Sequence, residues 1–168
     1  GDVYDVLIKG TSIKTAITKT KFSSLDILTS TNELVGAEIE LVSIIAREFQ
    51  LQSEIKKIKK LYDVIIIDCP PSLGLLTINA FTSSDSLIIP IQCEYYALEG
   101  LGQLLNTIRL VQNHLNKKLE IGGVIMTMYD GRLKLSKQVV KEMKYIGLTL
   151  IDNIQKLPRQ HMLVFGKS

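Results

Sequence analysis

The sequence predicts a single α/β domain in which short, mostly parallel strands alternate with helices. Two observations predict it: runs rich in β-branched residues at 64–67, 86–90 and 121–128, and stretches of helical period that follow them. A chain of 168 residues with 46% hydrophobic and 22% charged residues has the size and composition of one globular domain. We therefore expect a doubly wound sheet flanked by helices.

Each strand is predicted from its own residues. A short strand is expected at residues 25–28, which Ser and Thr residues bound on both sides. Four consecutive β-branched residues at 64–67 predict a strand that is buried on both faces, as in a parallel sheet. The remaining strands are expected at residues 86–90, where Pro90 ends the strand, at 121–128 and at 148–151.

The helices are predicted from apolar stripes. A long helix is expected over residues 35–58, with apolar positions at 35, 39, 42, 45, 49, 55 and 58. Residues 73–81 follow a proline pair and are expected to be helical, as are residues 97–115. In a last helix at 133–146, the core-facing side is expected to consist of Leu135, Val139, Met143 and Ile146.

Composition excludes several classes of protein. Lys and Arg number 20 against 17 Asp and Glu, so the net charge of +3 excludes a histone-like polycation but permits a local basic face. Two cysteines without a CxxC spacing, and two histidines, predict neither a disulfide framework nor a zinc site, so a cytoplasmic location is expected. No apolar run reaches the roughly 18 residues of a membrane span, and no membrane partner is expected.

The strongest chemical signal stands directly after the strand at 64–67. Asp68 occupies this position, and in open parallel sheets ligands bind beyond the carboxyl ends of the strands. P-loop nucleotidases place a carboxylate near Mg²⁺ in this way, although the same pattern also serves as an ordinary helix cap. The two prolines and the glycine of the next segment, CPPSLG at residues 69–74, predict a stiff and sharply turning loop.

Four segments together resemble the ParA/Soj family of partitioning ATPases, which are relatives of MinD. They read YDVIIIDCPPSLGLLTINA at residues 62–80, IPIQCEYYALEG at 89–100, MTMYD at 126–130 and GAEIEL at 36–41. The resemblance implies a P-loop NTPase-like fold, with ATP and Mg²⁺ as cofactors. It also implies that residues 1–168 form one partial ParA-type ATPase domain.

The resemblance further implies roles for individual residues. Asp68 is expected to be the catalytic switch aspartate, which acts on Mg²⁺ through water. Residues expected at the nucleotide are Pro71, Ser72 and Gly74 near the γ-phosphate, and Thr127, Met128, Pro158 and Arg159 near the adenine. A dimer interface is expected near Gln92, Glu94 and Glu99, although strand-end and helix-cap residues would have the same character. The segment between the Pro-Arg pair and the closing Phe-Gly-Lys, around residues 160–164, is shorter than in the family. This argues against base contacts from Pro158 and Arg159.

Two family segments do not occur in the 168 residues: the phosphate-binding loop, Lys-Gly-Gly-x-Gly-Lys-Thr, and the Asp-x-Asp-Pro segment. Both would precede Gly1, so we interpret the chain as a piece of a longer protein. Without the loop, this piece alone is expected neither to bind ATP tightly nor to hydrolyse it. Its sheet is expected to lack a central strand and to expose apolar edges. The closing Gly-Lys-Ser is no substitute, because His161 stands where the P-loop pattern needs glycine.

A basic face is predicted on the last helix. Its lysines recur at spacings of three, four and three residues, on the side opposite the apolar stripe, and Arg132 precedes them. The residues are Lys134, Lys137, Lys141 and Lys144. Such a row is either a solvated helix face or a site for DNA phosphates, and the family resemblance favours DNA binding without sequence specificity.

The sequence therefore predicts, for the intact protein, an ATPase that partitions chromosomes or plasmids on nucleoid DNA. ATP would close two subunits face to face, the dimer would bind DNA, and a ParB-like partner would trigger hydrolysis and release. Two alternatives stay open. One is a pseudo-ATPase or adaptor that keeps the fold without nucleotide turnover. The other is a MinD-like ATPase that cycles on membranes through a C-terminal amphipathic helix.

Overall fold

The computed structural model describes residues 1–70, 72–93, 97–145, 147–151 and 162–165, with 97–99 and 162–165 described by their backbone alone. The first part of the chain forms short elements that pack beside the main sheet. They are helix α1 (Val3–Leu7), helix α2 (Ile13–Ala16), strand β1 (Thr18–Lys19), strand β2 (Asp26–Ile27), helix α3 (Leu34–Glu40) and helix α4 (Gln50–Ile58). β1 and β2 pair with each other antiparallel.

A four-stranded parallel sheet follows and confirms the predicted α/β class. Its strands are β3 (Ile66–Cys69), β4 (Ser86–Gln92), β5 (Glu120–Thr127) and β6 (Met162–Phe165), in the spatial order β3–β6–β4–β5. The helices that follow the first three strands are α5 (Leu75–Ser83), α6 (Ala97–His114) and α7 (Lys134–Tyr145). Parallel neighbours need such crossovers, so the alternation of strands and helices in the sequence produces this topology.

The position between β3 and β4 is filled by β6, from the far end of the chain. β6 pairs with all four residues of β3 and with residues 86–88 of β4, in both cases parallel. The prediction that the sheet lacks a central strand is therefore wrong between β3 and β4. Residues 162–165 provide the backbone hydrogen bonds that each of these strands would otherwise leave unmade on the facing edge.

Two strand predictions are corrected by the structure. The strand predicted at 64–67 begins two residues later and is not buried on both faces, because Val64 and Ile66 are 40% and 61% exposed. The intervening Ile65 and Ile67 pack against an apolar core formed by α1, α2 and α4, and the described residues leave the opposite face uncovered. β4 continues beyond Pro90 to Gln92. Its pairing with β6 ends at residue 88, so no strand on that side needs an N–H from residue 90, and proline is tolerated there.

The helix predicted over residues 35–58 is divided into α3 and α4. A 3₁₀ turn (Leu41–Ser43) continues α3, and others precede α4 (Arg47–Phe49) and follow it (Lys59–Leu61). Ala46 has φ 54°, a left-handed conformation that interrupts an α-helix. The predicted core positions 35, 39, 42 and 45 precede this break and are exposed, because the two helices bury different faces. Ala37 and Leu41 are buried in their place.

Three predicted helices lie close to their observed positions, whereas two predicted short strands do not. The helices predicted at 73–81, 97–115 and 133–146 are confirmed to within two residues at each described end. The strand expected at 25–28 is reduced to the two residues of β2. The strand expected at 148–151 is not formed, and a single bridge joins Leu150 to Val124 instead.

Apolar side chains form two cores beside the sheet. The larger core includes Phe81 from α5, Ile108 from α6 and Met143 from α7, and the smaller one joins α1, α2 and α4. A cavity of about 650 Å³ borders the smaller core, lined largely by apolar residues of β2, α4 and β3. Among the residues described, no helix has both the length and the apolar character that crossing a bilayer requires.

Candidate functional site

Asp68 lies at the carboxyl end of β3 with its side chain exposed. No described residue donates a hydrogen bond to its carboxylate or forms an ion pair with it. The described residues also contain no group of three His, Cys, Asp or Glu side chains placed to hold a metal ion. An isolated, unpartnered carboxylate fits Mg²⁺ that takes most of its ligands from phosphates and water. It does not fit a metal held by protein alone.

The loop after Asp68 is held by two side chains from different elements. The Thr77 hydroxyl, buried in α5, donates a hydrogen bond of 2.6 Å to the Ser72 carbonyl oxygen. Gly74 caps α5 without a side chain of its own, and Glu38 of α3 supplies the acceptor instead. Its carboxylate accepts hydrogen bonds from the N–H groups of Leu75 at 2.7 Å and Leu76 at 3.2 Å. The 72–74 loop is thereby fixed at both ends.

Glu38 is a functional candidate that sequence reasoning missed. In the sequence, Glu38 stands within the GAEIEL segment that resembles the family, and no pattern there assigns it a role. An uncapped glycine at the start of an apolar helix was the available signal, because the first N–H groups of a helix need acceptors from elsewhere. The sequence did not indicate that α3 would supply one.

At the end of β5, the backbone takes an unusual conformation next to the predicted adenine contacts. Met128 has φ 51°, in the left-handed region, and its side chain is 81% exposed. Thr127 is half-buried and pairs in the sheet register with Gln92, and its carbonyl oxygen accepts a hydrogen bond from the Cys93 N–H. Left-handed conformations at non-glycine residues are concentrated at functional sites, so this strand end is a reasonable binding position.

The strand-end residues share one edge of the sheet but are not side by side. Through β6, Asp68 lies level with Ile88, which in turn pairs with Gly123. Thr127 is four residues further along β5, a distance of roughly 13 Å at the rise of a parallel strand. A single ligand that contacts both ends must therefore be elongated, as a nucleotide is.

Several predicted site residues lie outside the described part of the chain. They are Pro71, Glu94, Pro158 and Arg159, together with the side chain of Glu99. Their predicted roles stay predictions. The same holds for the Gly-Lys-Ser sequence that closes the chain.

Cys69, beside the candidate aspartate, is a buried thiol. Its pKa is raised to about 12, first because burial disfavours the thiolate and second because the Asp68 carboxylate is close. A thiol of this kind is protonated at neutral pH and is a poor nucleophile.

The lysine face of α7 is exposed as predicted. All four lysines point to solvent, while Val139 and Met143 on the opposite side are buried. Leu135 was predicted to face the core, but it lies in the first turn of the helix and is 36% exposed. Ile146, the last residue of the predicted stripe, lies outside the described residues.

Arg132 stands at the amino end of this face, but its guanidinium is engaged locally. Its Nη2 and Nε atoms donate to the two carboxylate oxygens of Asp130 at 2.7 and 3.0 Å. These bonds lower the pKa of Asp130 and raise that of Arg132, so both groups stay charged. The Arg132 side chain is 90% exposed, so an external phosphate has access to it.

Residues 1–121 match the family model described as an AAA domain. The chain is 57% identical over 142 residues to the sporulation initiation inhibitor protein Soj of Bacillus subtilis (strain 168). The match covers 84% of this chain and 56% of Soj. The chain belongs to the ParA/Soj family of P-loop NTPases. It is also 46% identical to the chromosome partitioning protein ParA of Myxococcus xanthus (strain DK1622), over 86% of this chain and 51% of that relative. The chain thus spans about half the length of these curated family members.

Solved structures support the same fold. Cobyrinic acid a,c-diamide synthase from Mycobacterium smegmatis, with bound ADP and magnesium, aligns with a TM-score of 0.83 and 35% identity. The alignment covers 91% of this chain and 62% of that one. A plasmid partition protein from Borrelia burgdorferi aligns with a TM-score of 0.75 over 97% of this chain and 62% of the other, and at 24% identity it supports the fold alone. The family member described here therefore has a P-loop NTPase fold.

Proposed function

We propose that the intact protein is a Mg²⁺-dependent ATPase of DNA partitioning that cycles between ATP-bound dimers on DNA and released subunits. The observation that carries the proposal is the free Asp68 carboxylate at the carboxyl end of β3, directly before a constrained loop. Family membership and 57% identity to Soj support the partitioning role. The proposed location is the cytoplasm, on nucleoid DNA.

Within this proposal, each end of the candidate site has a separate task. Bound Mg²⁺ would supply positive charge to the terminal phosphates of ATP. Asp68 would hold a water ligand of that ion, and the 72–74 loop would contact the γ-phosphate. Thr127 and Met128 would contact the base, at the distance that an elongated ligand requires. The N–H groups and lysine that hold the β-phosphate would come from a segment that the 168 residues do not include.

The catalytic part of the proposal is tested by Asp68→Asn in the full-length gene product. The amide keeps the shape of the side chain and removes its charge, so we expect ATP hydrolysis to fall at least about 100-fold, within the range for loss of one charge-stabilising group. Asp63→Asn is the matched control, because Asp63 is an exposed carboxylate just before the same strand but at its amino end. Equal hydrolysis by both variants would remove Asp68 from the mechanism.

The DNA part of the proposal rests on the exposed lysine face of α7 with Arg132 at its end. Four lysines on one side of a 12-residue helix can neutralise several phosphates without reading bases. Arg132 would add a further contact by exchanging its Asp130 partner for a phosphate. No aromatic residue is interleaved with the lysines, so base stacking is not part of the proposal.

Charge reversal tests this surface. The variant Lys134→Glu, Lys137→Glu, Lys141→Glu, Lys144→Glu should lose DNA retention. The slope of log binding constant against log salt should be less steep by about 3 to 4, roughly 0.9 for each phosphate contact removed. A matched control reverses four exposed lysines on other elements, namely Lys14, Lys60, Lys117 and Lys118. If both variants lose binding equally, general charge rather than the α7 face explains it.

Dimerisation and partner response are tested in the same protein. ATP with Mg²⁺ should shift the sedimentation of the full-length protein to that of a dimer, and Gln92 at the end of β4 is the described residue proposed near the interface. A ParB-like partner should accelerate hydrolysis and release DNA. DNA retention that ignores ATP would favour the adaptor alternative, and ATP-dependent retention on lipid vesicles instead of DNA would favour the MinD-like alternative.

A further inference from the structure

Three backbone donors of the 72–74 loop have no partner among the residues that the structure describes. The backbone N–H groups of Ser72, Leu73 and Gly74 donate no hydrogen bond to any described residue. The next two N–H groups, at the start of α5, are both taken by Glu38. An anion that approaches this loop therefore meets the loop donors, while the helix end already has its carboxylate.

Glu38 reaches α5 from a well-anchored position. Asn79, fully buried in α5, donates a hydrogen bond of 2.7 Å to the Arg47 carbonyl and accepts one of 3.1 Å from the Leu51 N–H. Thr82, one turn further along α5, donates to the Glu48 carbonyl oxygen at 2.6 Å. These bonds join α5 to the first residues of α4 and to the turn before it, the segment that follows α3 along the chain.

The same contact leaves no space for a side chain at Gly74. Its backbone is extended, with φ −85° and ψ −169°, a conformation open to any residue. A Cβ at this position would nevertheless lie 2.5 Å from one Glu38 carboxylate oxygen and 2.6 Å from the other. A side chain at residue 74 would therefore conflict with the position of Glu38 and not with the dihedral angles of the backbone.

We infer that Glu38 is a positioning residue that holds the 72–74 loop where it can bind the terminal phosphate of a nucleoside triphosphate. The inference rests on the proposed function, and it adds a residue to which the sequence assigned no role. Glu38 acts through the loop and touches no reacting atom. Its removal should affect the ligand that carries a γ-phosphate and spare the one that does not.

The test compares two ligands in the full-length protein. Affinities for ADP and for a non-hydrolysable ATP analogue, both with Mg²⁺, are measured by calorimetry for the wild type, Glu38→Ala and Glu38→Gln. We expect Glu38→Ala to weaken the affinity for the ATP analogue at least about tenfold, because a contact group is displaced. The affinity for ADP should change by less than about twofold. Glu38→Gln keeps a carbonyl oxygen as acceptor and should lie between the wild type and Glu38→Ala.

Glu40→Gln is the matched control, because Glu40 is on the same helix and accepts from the Tyr4 hydroxyl instead of α5. It should bind both nucleotides as the wild type does. Hydrogen exchange of the Leu75 and Leu76 amides should be faster in Glu38→Ala and unchanged in Glu40→Gln, which verifies that the cap was lost in folded protein.

The outcomes separate the two levels of inference. If the wild type binds neither nucleotide, the proposed function is wrong and this inference falls with it. If the wild type binds both and Glu38→Ala keeps its preference for the ATP analogue, only the role of Glu38 is wrong. Equal weakening of both nucleotides would also overturn it, since that result indicates general damage to the fold.

Discussion

The contact between Glu38 and Gly74 leads to a prediction about stability that does not depend on any ligand. Gly74→Ala adds one methyl group at a position whose dihedral angles accept it. In the wild type, that methyl meets the Glu38 carboxylate at 2.5 to 2.7 Å, well inside the usual contact distance. Since the obstacle is the end of a flexible side chain, Glu38 will move away and the helix cap will be lost.

The size of the effect follows from two terms. Removal of a half-buried carboxylate cap from the Leu75 and Leu76 N–H groups should cost about 1 to 2 kcal/mol. Replacement of glycine by alanine at a compatible position should stabilise the protein by about 0.4 to 1 kcal/mol, through the unfolded chain. In the wild type the loss dominates. In Glu38→Ala the cap is already gone, so the same substitution should stabilise, and the coupling between the two sites should be about 1 to 2 kcal/mol.

The assay is a double-mutant cycle in the full-length protein, with free energies of unfolding from urea titrations followed by circular dichroism. Gly74→Ala should destabilise the wild type and stabilise Glu38→Ala, with similar m-values throughout. The Glu40→Gln background serves as control and should behave as the wild type. If Gly74→Ala has the same effect in all three backgrounds, to within about 0.5 kcal/mol, the two residues are not coupled and the reasoning fails.

Three further predictions concern single residues. Asn79→Ala should lower the free energy of unfolding by about 2 to 4 kcal/mol, measured by urea titration, because it leaves the Leu51 N–H and a carbonyl buried without partners. The folded pKa of Cys69 is about 12, above its unfolded value, so its contribution to stability is complete below about pH 8.5 and is lost as pH rises. The stability difference between wild type and Cys69→Ala should therefore fall by up to about 1.4 kcal/mol per pH unit from pH 9 to 10, and a flat difference would contradict this. Met128→Gly should raise the free energy of unfolding by about 0.5 to 1 kcal/mol, since glycine accepts φ 51° without strain and the exposed side chain loses little packing. If the same variant also weakens ATP binding, Met128 contacts the nucleotide.

Two helices of the sheet domain, α6 and α7, were predictable because each buries an apolar stripe. α6 buries Leu101, Leu104, Ile108 and Val111 at helical spacing, and α7 buries Val139 and Met143. The long helix predicted at 35–58 failed for a local reason. Its apolar positions would lie on one face of a continuous helix, but the left-handed Ala46 divides the segment into two helices whose buried faces differ.

The candidate site was predictable only where chemistry and strand position coincide. Asp68 stands out because it directly follows a β-branched strand, where ligands of open parallel sheets bind, and because the CPPSLG loop comes next. Glu38 did not stand out, because it is one of several acidic residues near α3 and its partners are 37 and 38 residues away in the chain. The exposure of Val64 and Ile66 was likewise unpredictable, since a run of β-branched residues does not indicate which faces other elements will cover.

The sequence by itself determined the α/β class, the alternation of strands and helices from β3 to α7, the carboxylate at the end of β3, the lysine face of α7 and the resemblance to a partitioning family. All of these depend on residue type and short-range spacing alone. The tertiary structure alone decided that β6 lies between β3 and β4, that Thr127 lies roughly 13 Å further along the sheet than Asp68, and that Glu38 caps α5. These features are contacts between distant segments, and their geometry exists only once the backbone of each element has been placed against the others.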